Sequence, residues 1–168
     1  MLSLVGVIVV ATQCDKKNEE VKNSEVLTST ANKQLNPALV AQGKEIFRYD
    51  AFGDEDFWSG LLHIDKAIEG AKNGGYGNGV SPRTALAVGL KVDVDALPPD
   101  IIAGIKSGTV NLNDPATTIA LLKLNAVVGV KGNFNTQGNL QSIGITCASC
   151  HSTVDNSFAE GIGKRLDG

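Results

Sequence analysis

Methionine is absent after Met1, so no thioether side chain is available to any site in the folded chain. Histidine is nearly as scarce, with only His63 and His151, which excludes a multi-histidine metal cage. Aromatic residues make up 5% of the 168 residues, with one Trp and five Phe, so the core must be built from Val, Ile, Leu and Ala. There is no excess of basic charge either. The formal net charge is −3, which removes the electrostatic footprint of a nucleic-acid-binding protein. No apolar run reaches the roughly 20 residues that a helix needs to span a bilayer. What remains is an ordinary globular balance of 42% hydrophobic and 20% charged residues, with 19 glycines marking many turns.

The longest apolar run, Leu4 to Ala11, has the length of the hydrophobic part of an export signal, and residues 1–13 are read as one. Cys14 follows it directly. A Cys closing an apolar leader resembles a bacterial lipoprotein signal, which implies lipid on Cys14 and a periplasmic or otherwise exported, membrane-tethered protein. Residues 14–36 are rich in Lys, Asn, Glu, Ser and Thr, and bury too little to offset ordering entropy, so they are expected to form a flexible tether. The folded domain is expected over residues 37–168.

Asn36-Pro37 is a cap-plus-proline helix start, and Ala38, Leu39, Ala41, Gly43, Ile46 and Phe47 set an apolar face at helical spacing. A second helix is predicted from Asp56 to Ala71, with Phe57, Leu61, Ile64 and Ile68 as its buried stripe. Four glycines between Ala71 and Ser81 require a loop. Short helices are predicted over Asp100 to Lys106 and from Asp114-Pro115 to Leu124. The β-branched runs Val127 to Lys131 and Leu140 to Thr146 predict a small hairpin.

That hairpin leads into Cys147-Ala148-Ser149-Cys150-His151. Two thiols separated by two residues, with His immediately after, are what covalent haem attachment requires. Each thiol bonds one vinyl group, and His151 ligates the iron from the proximal side. Two other chemistries use a CxxC pair. A thioredoxin-like redox centre wants a βαβ setting, which the surrounding pattern lacks. A zinc site needs further ligands, for which only Cys14 and His63 are on offer.

The motif, together with Ser157-Phe158-Ala159, a Gly-rich tail and the upstream Gln42-Gly43-Lys44-Glu45-Ile46-Phe47, resembles c-type cytochromes, including relatives of the di-haem cytochrome c peroxidases. The resemblance implies a mainly α, cytochrome c-like helical domain with an irregular insertion and the small β-hairpin before the haem motif. It implies one covalent haem c on Cys147 and Cys150, His151 as proximal ligand, and single-electron transfer between redox partner proteins. The distal Met usual in that family has no counterpart here, which leaves His63 as the in-chain candidate for the sixth position. On one continuous helix His63 would lie at about 240° from Phe57, well away from the stripe. A peroxidase-like enzyme with an open distal site is the alternative, with Arg48 and Arg83 as distal candidates that no spacing supports. A thiol redox protein using Cys147 and Cys150 is another. The closing residues 161–168 read as a loop in mid-course, so the domain is expected to be the N-terminal part of a longer haem protein.

Overall fold

A computed structural model describes residues 35–168, of which Pro37–Gly168 form one compact unit. The export-signal reading, Cys14 and nearly all of the tether lie outside the described residues. The first helix, α1 (Pro37–Tyr49), starts at the predicted proline. None of its residues is buried, and only Phe47, Arg48 and Tyr49 at its end are half-buried.

The predicted second helix is two elements. A π-helix covers Asp56–Leu61, and Leu62 N–H still reaches back five residues to the Phe57 carbonyl at 3.1 Å. His63 then takes a left-handed conformation at φ 52°, and α2 (Ile64–Glu69) begins after it. The wider winding and the left-handed break separate the expected stripe into two directions. Ile64 and Ile68 pack on the main core, while Phe57 and Leu61 face solvent. The angular position expected for His63 therefore does not apply.

Ser81 caps α3 (Pro82–Ala87) by accepting from Thr84 N–H at 3.2 Å, and a proline in the first turn opens this helix as it does α1, α4 and α5. A short strand β1 (Val92–Asp93) precedes α4 (Pro99–Ser107). Helix α5 (Pro115–Lys123) begins where Asp114 Oδ1 accepts from Ala116 N–H at 2.9 Å. The hairpin pairs β2 (Val130–Phe134) with β3 (Leu140–Ile145) antiparallel, the first strand starting three residues later than the β-branched run. A single turn, α6 (Ala148–His151), carries the CxxCH motif. It runs directly into β4 (Ser152–Val154), followed by β5 (Ile162–Gly163) and β6 (Arg165–Asp167).

The expectation of a mainly α, cytochrome c-like helical domain is overturned. Helix accounts for 45% of the described residues and strand for 19%, the strands pairing there in three two-stranded sheets, which makes the fold mixed α/β. β1 runs parallel to β5, pairing Val92 with Ile162, and β4 runs antiparallel to β6. Strands of two or three residues are too short to show an alternating period, and the β1–β5 pairing joins segments far apart in the chain. No local pattern could signal either.

Two clusters make the interior. The main one gathers Val92, Leu97, Leu121, Leu122, Ala126, Val127, Leu140, Ile143 and Ile162 between α2, α5 and the hairpin. The smaller one is Val128, Ala148 and Val154, with Phe47 of α1 against it. Among the described residues no third strand lies on the outer edge of β3. Its donors are met instead by the π-helix region: Ile143 N–H donates to the buried Ser59 Oγ at 2.9 Å, and Ile145 N–H to Asp54 Oδ1 at 3.0 Å. Unpaired strand donors are costly when buried, so these side chains stand in for a neighbouring strand.

Candidate functional site

The motif sits on a single helical turn held by its own backbone. Ser149 N–H donates to the Thr146 carbonyl at 3.0 Å, and His151 N–H to the Cys147 carbonyl at 3.2 Å. In one helical turn, residues three and four apart share a face. Cys147, Cys150 and His151 have that spacing, with Cys147 half-buried and Cys150 and His151 exposed. Ala148 points the other way and is fully buried between Val128 and Val154. The Ser149 backbone rests on Gly129, where an added Cβ would come within 2.2 Å of Ser149 Cα. Ala148 is thus small because it is buried beneath the turn, and Gly129 lacks a side chain because the Ser149 backbone sits on it. This reason is invisible in the sequence.

Beside the turn, Cys150 and His151 line a shallow, open hollow of about 350 Å³ together with Ser152, Thr153, Leu166, Asp167 and Gly168. The chain end closes its far side, with Gly168 N–H donating to the His151 carbonyl at 2.7 Å. Asp167 is the node of this region. Its Oδ2 accepts from Arg48 Nε at 2.8 Å and Nη2 at 2.6 Å, and its Oδ1 from Ser152 Oγ at 2.9 Å. The segment after His151 is thereby tied to the end of α1. Burial by itself would push the Asp167 carboxyl up. Hydrogen bonds from Arg48 and Ser152, with the charges of Arg48 and Arg165, outweigh burial and hold it below the usual carboxylate range. For Arg48, burial pulls downward, and the bond and charge of Asp167 outweigh it, so its guanidinium is raised.

A carboxyl depressed in the folded state contributes stability that is fully present above its unfolded value, about 3.9, and is lost as pH falls through the folded value. Asp167→Asn is therefore expected to cost about 1 kcal/mol at neutral pH. Below the folded Asp167 value the variant and the parent should converge. Urea unfolding at a series of pH values checks this, and a pH-independent difference would contradict it.

The other predicted residues fall elsewhere. His63 is exposed, sits ahead of α2 and does not line the hollow at His151. Arg48 is engaged by Asp167, and Arg83 donates to Asn113 Oδ1 at 2.9 Å. Asp54 is a structural latch, taking Trp58 Nε1–H at 2.6 Å as well as Ile145 N–H. An apolar cavity of about 320 Å³ lies in the main core, lined by residues such as Trp58, Leu86, Val92 and Ile143, and by none of the three motif residues.

As chemistry, the turn fits covalent haem attachment. Both thiols are free and, by spacing, lie on one side of the turn with the imidazole, Cys150 and His151 exposed and Cys147 half-buried. Zinc fits less well: among the described residues no three His, Cys, Asp or Glu side chains converge as a metal site. The βαβ context of thioredoxin-like centres is missing as well, since β3 and β4 on either side of the turn each belong to an antiparallel pair. Sequence reasoning missed Asp167, Ser152 and Gly129, whose roles come from contacts between distant segments. No protein-family model, curated protein or solved structure matches this chain.

Proposed function

We propose that the protein carries one covalent haem c on Cys147 and Cys150, with His151 as proximal ligand, and passes single electrons between redox partner proteins. The observation that supports this best is the i, i+3, i+4 spacing of these three residues on one helical turn whose other side is packed down by Ala148 and Gly129. Each thiol adds across one vinyl group, forming one S–C and one C–H bond at the expense of its S–H bond and the vinyl π bond, so nothing is oxidised or released. A bound haem supplies a one-electron ferric/ferrous couple. The chain's part is to hold the backbone that carries His151, through Gly168 N–H on the His151 carbonyl and the Ser152–Asp167–Arg48 tie. Export, with lipid on Cys14, belongs to the same proposal and is supported by the apolar run before that residue. Among the described residues no helix is long and apolar enough to cross a membrane.

The full chain, produced for export with haem-attachment machinery and then denatured, is expected to retain haem in a pyridine haemochrome spectrum. Cys147→Ala with Cys150→Ala should abolish that retention. A parent chain without covalent haem under those conditions would overturn the reading. The native ferric spectrum of a His63→Ala variant then decides the sixth position, since loss of a low-spin signal would assign it to His63.

A further inference from the structure

We infer that the exposed apolar residues Phe52, ahead of the π-helix, Phe57 and Leu61 within it, and Leu62 at its end form a face that docks a basic redox protein. This rests on the electron-carrier reading above. The four residues are 67%, 49%, 68% and 45% exposed, and they fall within eleven consecutive positions, 52–62. In an i→i+5 winding, Phe57, Leu61 and Leu62 lie on one face, one turn apart. An exposed apolar cluster with a charged rim is the ordinary make-up of an interaction surface.

Position and charge identify the partner. Ala51 bridges Thr146, the residue just before Cys147, and Phe52 N–H donates to the Ile145 carbonyl at 3.0 Å. The apolar face therefore begins beside the attachment turn, where an electron would enter or leave. Between Arg48 and Lys66 there is no Lys or Arg, while Asp50 and Asp56 are exposed and Glu55 is half-buried. Such a rim attracts a lysine-rich protein and repels an anionic lipid surface. A small apolar centre with charge steering also suits a carrier that must bind fast and leave fast.

The test is stopped-flow electron exchange between the haem-loaded full chain and a small lysine-rich c-type cytochrome as probe. The second-order rate is expected to fall as salt rises. Asp50→Lys with Asp56→Lys should slow it about tenfold at low salt. Phe57→Ser with Leu61→Ser should slow it severalfold at every salt concentration, with a urea midpoint lowered only by the loss of the edge-on contact between Phe57 and Trp58. A rate that rises with salt, or parent-like rates in both variants, would overturn the docking face. So would adsorption to phosphatidylcholine vesicles that Phe57→Ser with Leu61→Ser removes while the rate stays unchanged. Missing haem in the haemochrome spectrum would sink the functional reading instead. Docking is then judged by calorimetric titration of the haem-free chain with the same probe: binding lost in both variants upholds it, and no binding overturns it.

Discussion

Gly129→Val is expected to destabilise the domain by about 4 kcal/mol or more, which is at the exceptional end for a single substitution. Backbone strain and steric overlap add. Gly129 has φ +80°, a conformation that costs an L-residue about 1–2 kcal/mol. The overlap costs more: a Cβ there would lie 2.2 Å from Ser149 Cα and 2.5 Å from Ser149 N, which are backbone atoms of the motif turn and cannot swing aside. Gly74→Ala separates the two. Gly74 also has a positive φ, of 94°, but a Cβ there meets nothing within 4 Å. That variant should lose only about 1 kcal/mol. Urea unfolding of both measures the difference, and similar losses would show that the close approach to Ser149 is unimportant. Because the turn must lift for the new side chain to fit, the haem attachment proposed above should fall in the Gly129 variant and not in the Gly74 variant.

Arg165→Met is expected to cost about 3–5 kcal/mol. Arg165 and Asp93 are both buried, with Nε 3.1 Å from Asp93 Oδ2, and they join β6 to β1 across the sheet ends. The geometry is poor for a hydrogen bond: neither Nε nor Nη1 directs its N–H at an acceptor, so charge rather than direction holds the pair. The guanidinium lies 5.5 Å from the Tyr49 ring centre, which carries the link on to α1. Removing the cation leaves the Asp93 carboxylate buried and uncompensated, and that penalty exceeds the net worth of the pair. Asp93→Asn added to Arg165→Met should therefore restore most of the loss, since Asn can still accept from Asp95 N–H as Asp93 Oδ1 does at 3.1 Å. Urea midpoints of parent, single and double variants decide it. A double variant no better than the single would place the cost in packing instead.

The amino-acid sequence by itself determined the elements whose causes are local. Pro37, Pro99 and Pro115 start helices because a fixed proline φ suits the first turn, and at Asp114 a side-chain cap adds to it. The hairpin before the motif is legible in its β-branched runs, and the motif itself in the spacing of two thiols and an imidazole. The sequence could not show that the helix predicted from Asp56 breaks at His63, or that Phe57 and Leu61 turn outward. Those outcomes depend on β3, whose edge draws in Ser59 and Asp54 from far along the chain. Only the tertiary structure decided that the domain is mixed α/β, because β1–β5 and β4–β6 are too short to carry a pattern. It also decided that Asp167 reaches Arg48 across 119 positions, and that Gly129 must lack a side chain so that the motif turn can sit down. Periodicity and capping act over a few residues, whereas pairing, clamping and close approach are settled by which distant segments the core brings together.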